Sequence, residues 1–108
     1  MANVFKSITD TGIGTSLTTV YTCPASTVAV VIGCNLSNTT GDQILCSVKV
    51  NKNTGDDIYL IRNIPIPNGS SFEFIAGSKL VLEASDALEI ESDTATSADV
   101  IVSVLESS

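Results

Sequence analysis

Apolar and polar residues alternate one for one along most of this chain. Val28, Val30, Ile32, Cys34 and Leu36 are interleaved with Ala29, Gly33, Asn35 and Ser37, and Ile44, Cys46, Val48 and Val50 continue the rhythm. Leu80 and Leu82, Leu88 and Ile90, and Val100 and Val102 repeat it toward the C-terminus. A period of two is that of a strand with one buried face, because successive side chains point to opposite sides of a sheet. Enrichment in Val, Ile and Thr suits a pleated, half-buried surface. The pattern predicts strands near 17–23, 27–37, 43–52, 57–64, 71–76, 79–83, 86–92 and 98–106. No stretch sustains a helical period. Turn signals between the strands at this spacing point to an all-β fold, an antiparallel β-sandwich of jelly-roll or immunoglobulin-like type with about eight strands.

Register can be proposed by folding the chain about its turns. Centred on Thr40, Leu36 falls opposite Ile44 and Cys34 opposite Cys46. Centred on Thr54, Val50 meets Ile58 and Val48 meets Leu60; centred on Ser85, Leu82 meets Leu88 and Leu80 meets Ile90. Centred on Ala95, Ile90 meets Val100 and Leu88 meets Val102. The expected core is then the face of Ile32, Cys34, Cys46, Val48, Leu60, Leu88, Ile90, Val100 and Val102. Asn38-Thr-Thr-Gly-Asp42 and Asn53-Thr-Gly-Asp56 read as hairpin loops whose glycines, Gly41 and Gly55, close left-handed bulges. Pro65 and Pro67 mark a strand end and a crossing between sheets. Residues 1–16, with Val4, Phe5 and Ile8 among Thr, Gly and Ser, form an N-terminal arm or edge strand ending in a loop at 11–15; residues 17–108 form a single sandwich domain.

Composition changes this picture in one respect. Only 16% of the 108 residues are charged while 44% are hydrophobic, too few charges to coat the surface, so part of it is expected to be covered by another subunit. Along 27–34 both faces are apolar, which makes Val31 and Ala29, with Phe5 and Val4 on the N-terminal arm, the interface candidates. The net charge of −7 leaves five scattered cations, Lys6, Lys49, Lys52, Arg62 and Lys79, which make no nucleic-acid groove. No apolar run reaches the length of a membrane helix, and Met-Ala-Asn-Val-Phe-Lys lacks the layout of a signal peptide, so a cytosolic origin is expected.

Candidate chemistry is sparse. The absence of histidine removes the commonest general base and zinc ligand. No G-x-S-x-G places a nucleophile, and the acidic run Glu83, Asp86, Glu89, Glu91 and Asp93 lacks the spacing of a calcium loop, reading as a solvated or subunit-facing charge row. No catalytic residue, cofactor or metal is expected. The three cysteines, without a CxxC, are expected to be free thiols, Cys34 and Cys46 facing inward and Cys23 the most accessible.

Leu17-Thr-Thr-Val-Tyr-Thr-Cys-Pro24, Val31-Ile-Gly-Cys-Asn-Leu-Ser-Asn38, Ile64-Pro-Ile-Pro-Asn-Gly-Ser-Ser71, Lys79-Leu-Val-Leu-Glu-Ala-Ser-Asp86 and Ser97-Ala-Asp-Val-Ile-Val-Ser-Val-Leu-Glu106 give the chain its family likeness. Through them it resembles the small virion structural proteins of tailed bacteriophages, of the marine and cyanobacterial phage type. Cys23, Cys34 and Cys46 depart from that pattern, where small apolar residues such as Val are expected. The resemblance implies a non-enzymatic homo-oligomeric subunit located in the virion, and in the host cytoplasm during assembly. Its partners would be copies of itself and the major capsid protein or other virion proteins. Capsid decoration (cement) is the leading expectation. A tail, neck or baseplate component comes second, and a host-surface binding module third, since the chain has no Trp to build a sugar platform.

Overall fold

The computed structural model describes residues 3–53, 55–73 and 79–107. Among these described residues nine strands form: β1 (Asn3–Ile13), β2 (Thr18–Thr22), β3 (Val28–Asn38), β4 (Ile44–Asn51), β5 (Asp57–Ile66), β6 (Ser71–Glu73), β7 (Leu80–Leu82), β8 (Ala87–Ser92) and β9 (Ala98–Ser107). They form two antiparallel sheets. Sheet A has the order β1-β9-β3-β6, with β7 beside the other half of β3, and sheet B the order β2-β8-β4-β5. This interleaving, with β6 and β7 together filling one strand position, is the eight-strand jelly roll. The predicted strands match closely; positions 74–76 of the fifth lie outside the described residues.

Alternation does the folding. On β9, Ala98, Val100, Val102 and Val104 are buried while Asp99, Ile101, Ser103 and Leu105 look outward; on β8, Leu88 and Ile90 are buried between Glu89 and Glu91. Of the expected core, Cys34, Cys46, Val48, Leu88, Ile90, Val100 and Val102 are buried. Leu60 is half-buried and Ile32 is 41% exposed. The exception at Ile32 has a local cause. The β3–β9 register shifts between Val31 and Gly33, so Ile32 is an extra residue that reverses the phase of the strand. N-terminal to the bulge the inward residues are Ala29 and Val31; beyond it they are Cys34 and Leu36. Val31 and Ala29 are therefore core residues, each fully buried within the chain, and are not available to a second subunit.

Three of the four proposed hairpins are instead arches. β3 and β4, β7 and β8, and β8 and β9 lie in opposite sheets, so Leu36 and Ile44, Leu82 and Leu88, and Ile90 and Val100 enter the core from opposite layers without pairing. The β4–β5 hairpin keeps Val50 opposite Ile58, but bulges shift the register so that Val48 meets Ile61 rather than Leu60. The chain does cross between sheets after Pro65 and Pro67, between β5 and β6. The expected loop at 11–15 is in part a bulged continuation of β1: Gly12, at φ 64°, lets the strand swell and return Ile13 to the core opposite Ala98.

Arches lack the ladder that satisfies a hairpin's backbone, and buried side chains take its place. At the β3–β4 arch, Asn38 donates from Nδ2 to the carbonyls of Asp42 (2.7 Å) and Ile66 (2.9 Å), and its Oδ1 accepts from the Thr40 backbone N–H (2.9 Å). This side-chain turn, not a left-handed glycine, shapes the loop, since Gly41 has no positive φ; the bulge expected at Gly55 turns on residue 54, outside the described residues. At the β8–β9 arch the hydroxyls of Ser92 and Ser97 meet at 2.6 Å, and Ser97 donates to the Thr94 carbonyl at 2.7 Å.

Leu88→Ala is expected to cost about 2–5 kcal/mol, the lost transfer energy plus the cavity left behind. Val31→Asp, which strands an unpaired charge in the core, is expected to give an unfolded or aggregated chain. Urea titration with circular dichroism checks both; a folded, soluble Val31→Asp protein would contradict the bulge-shifted register.

Candidate interaction surface

The outer faces of the two sheets differ in kind. Across sheet A, Phe5 lies opposite Leu105, Leu105 opposite Val30, and Val30 opposite Val81, an apolar row over β1, β9, β3 and β7. Phe5 is 73% and Val81 54% exposed, and Val28, Ile32 and Ile101 add exposed apolar surface around them. The corresponding row of sheet B runs Thr19, Glu89, Lys49, Tyr59. It is charged and internally paired: Lys49 bridges to Asp57 at 3.2 Å, and the Arg62 guanidinium stacks 4.7 Å from the centre of the Tyr59 ring. On the described outer face of sheet A the charged residues are Glu73 and Asp99. Each carboxylate is tied to the chain's own backbone, Glu73 accepting from Cys34 N–H at 2.8 Å and Asp99 from Gly12 N–H at 3.2 Å.

Of the four candidate interface residues, Phe5 belongs to this face; Val4 is exposed on the opposite side of β1, next to Glu106 rather than Leu105. Val31 and Ala29 point the other way, into the core. The residues missed were Val28, Val30, Ile32, Val81, Ile101 and Leu105. Their signal was present in Val28-Ala-Val-Val-Ile32, Leu80-Val-Leu82, Val100-Ile-Val102 and Val104-Leu105, strands apolar at consecutive positions. Such a run says that both faces are apolar, but the bulge decides which member of each pair is outside.

Two charged clusters support the sandwich from within. Glu106 on β9 is buried and accepts from the Tyr21 hydroxyl of β2 and from Lys6 of β1 at 3.0 Å, joining the two sheets. The Tyr21 hydrogen bond and then Lys6 hold its carboxyl below the usual value, against the opposing pull of burial. Asp86, at the β7–β8 arch, is 1% exposed; it accepts from Lys52 Nζ and from the backbone N–H groups of Asn53 and Glu83, both at 2.9 Å. Burial alone would raise its carboxyl, but the Lys52 ammonium and the two N–H donors outweigh it and the net direction is downward. Asp86 is thus an internal anchor, not a member of the solvated or subunit-facing charge row expected from the sequence; Glu89 and Glu91 do line the outer side of β8.

Cys23, Cys34 and Cys46 are all free and buried, and burial pushes each thiol up, Cys34 to about 12 with Glu73 adding to the effect. Cys23 is not the accessible one: it is 1% exposed, and its thiol donates to the Thr27 carbonyl at 3.3 Å. A shallow polar cleft of about 260 Å³ on sheet B is lined by Ser47, Asn63, Glu91 and Asp93 among others. The Ser47 hydroxyl oxygen there is engaged by the Asn63 N–H at 2.9 Å, where Asn63 holds a left-handed φ of 55° in the β5 bulge.

No protein-family model and no curated protein sequence matches the chain. Its fold is similar to that in the structure of Bacillus endospore appendages, described as a novel family of disulfide-linked pili, at 14% identity and a TM-score of 0.57 over 97% of this chain and 85% of that one. It is also similar to a chain of the T13 IBDV viral particle, at 11% identity and a TM-score of 0.55. That match covers 96% of this chain but only 35% of the viral chain, so this protein corresponds to about a third of it. At such identities the likeness is one of fold: an all-β sandwich.

Acid should weaken the fold through the two anchors. Both carboxyls lie below their ordinary values of 3.8 and 4.5, so the unfolded chain binds more protons than the folded one in acid. Their stabilisation is complete above about pH 5 and is lost as the pH falls through the ordinary values toward the lowered ones. Urea midpoints at pH 7 and pH 3.5 should differ markedly for the parent. For Asp86→Asn the midpoint should be lower at pH 7 and the pH dependence smaller. The thiols give a second readout: alkylation should be slow in buffer and should modify all three cysteines once the chain is denatured.

Proposed function

We propose that the chain is a non-enzymatic structural subunit of a tailed-bacteriophage virion. In the leading form it is a capsid decoration (cement) protein that contacts the major capsid protein and stabilises the shell. The observation that carries this reading is the outer face of sheet A, where an apolar row crosses the sheet and the two carboxylates are occupied internally. Such a face is suited to burial against protein. The fold shared with a chain of a viral particle and with a pilus supports the assembly reading, as does the resemblance to phage virion proteins.

The pilus description names disulfide linkage; Cys23, Cys34 and Cys46 of this chain are free and buried, and so are not placed to cross-link copies. A tail, neck or baseplate position would use the same surface chemistry at lower copy number. The protein would reside in the virion, and in the host cytoplasm while particles assemble.

Quantitative mass spectrometry of purified virions tests this directly. The expected result is a copy number that tracks the major capsid protein, and rebinding of the recombinant chain to particles stripped of it. A small fixed fraction of the capsid protein's copy number would move the subunit to the tail or neck. Absence from the particle would overturn the proposal.

A further inference from the structure

We infer that the outer face of sheet A is the interface of a two-fold dimer, its occupant a second copy of this chain packed sheet against sheet. The inference deepens the structural-subunit reading by naming the first partner in assembly. The register defines the face row by row. One row is Phe5, Leu105, Val30, Val81; another, further along the strands, is Thr9, Ile101, Asn35, Glu73; a third holds Asp99 and Ser37.

A two-fold axis lying in the interface, parallel to the strands and midway between β9 and β3, maps each row onto itself in reverse. Phe5 of one copy then lies over Val81 of the other, and Leu105 over Val30. The same operation sets Glu73 over Thr9 and Asp99 over Ser37, so no carboxylate lies directly over a carboxylate in a chain of net charge −7. Like charges opposed across an interface would forbid such self-apposition; this face avoids them.

Size agrees. Three strands of about ten residues and the six described residues of β6 and β7, at about 4.8 Å spacing and about 3.3 Å rise, give roughly 570 Å² per copy, so two copies cover on the order of 1,100 Å² in total. Specific, stable interfaces begin near that size, at about 1,200 Å². Sheet B offers no equivalent. Its corresponding row of Thr19, Glu89, Lys49 and Tyr59 is not apolar, and its charges are engaged within the chain, Lys49 with Asp57 and Arg62 with the Tyr59 ring.

Sedimentation of the full chain should give about twice 11.2 kDa. Val81→Glu, at an exposed position, should raise the dimer dissociation constant at least about tenfold while leaving the circular dichroism spectrum unchanged. The orientation is tested by Phe5→Cys with Val81→Cys. Within one chain these positions are three strand spacings apart, roughly 14 Å. Across the two-fold axis Phe5 and Val81 face each other at the roughly 10 Å spacing of packed sheets, beyond a disulfide but within reach of a short bismaleimide. The double variant should therefore form a covalent dimer with that reagent, whereas either single variant, whose two thiols lie a sheet width apart, should not. A monomeric parent at its highest soluble concentration overturns the inference, as does a Val81→Glu protein that dimerises like the parent. Cross-linking of Phe5→Cys alone as fast as the double variant also overturns it. If the parent is monomeric yet binds stripped particles, the dimer fails and the virion reading stands; a dimer that binds no particle leaves the interface standing and removes that reading.

Discussion

Buried polar side chains at the rim of the core are what allow this chain to pass from one sheet to the other. Nearly every connection is an arch, and an arch offers its backbone no neighbouring strand. Each unsatisfied N–H or C=O sealed beneath one would cost about 1–3 kcal/mol. Asn38, Asp86, Ser92 and Ser97 are accordingly buried where the chain turns over, each hydrogen-bonded to the groups the arch would otherwise orphan. The arches also hold one another: Cys23 N–H donates to the Asp86 carbonyl at 2.8 Å and Ser85 N–H to the Cys23 carbonyl at 2.9 Å, joining the β2–β3 and β7–β8 turns. Without these contacts the apolar inner faces would still attract, but the arches would bury unpaired backbone groups that a simple meander does not.

With the rim held, the two sheets are free to differ on their outer sides, and they do. Sheet B spends its charges there in local pairs and a cation–aromatic stack, a surface content to face water. Sheet A has an apolar row with carboxylates only toward one end of the strands. The few charged residues are unevenly distributed, and this leaves one face suited to contact with protein. The bulge at Ile32 contributes directly, since it turns that side chain outward while keeping Val31 and Cys34 in the core.

A jelly roll says little about activity by itself, because the same layers serve many purposes. Here the fold is shared with a disulfide-linked pilus and a viral particle at identities too low to carry residue roles. The chain's own reactive and ionised groups are structural: its thiols are buried, and the ionised groups inside the rim serve as anchors. Its distinctive surface is hydrophobic.

Strand positions and most of the core could be read from the sequence alone, because period-two alternation is a local property that each strand carries within itself. The apolar outer strands could be read in part, as runs without a polar face. Sheet membership could not. A hairpin and an arch both bring an apolar face to the core, so Leu36 and Ile44, or Ile90 and Val100, satisfy either arrangement equally well; only packing two twisted layers together decides between them. Nor could the phase of β3 be foreseen, because a single unpaired residue at Ile32 exchanges the inside and outside of everything before it, and whether it is unpaired depends on β9, dozens of residues away. Asp86 was misjudged for the same reason: the cation and the Asn53 N–H that make its burial tolerable come from the β4–β5 turn, which only the tertiary fold brings beneath the arch.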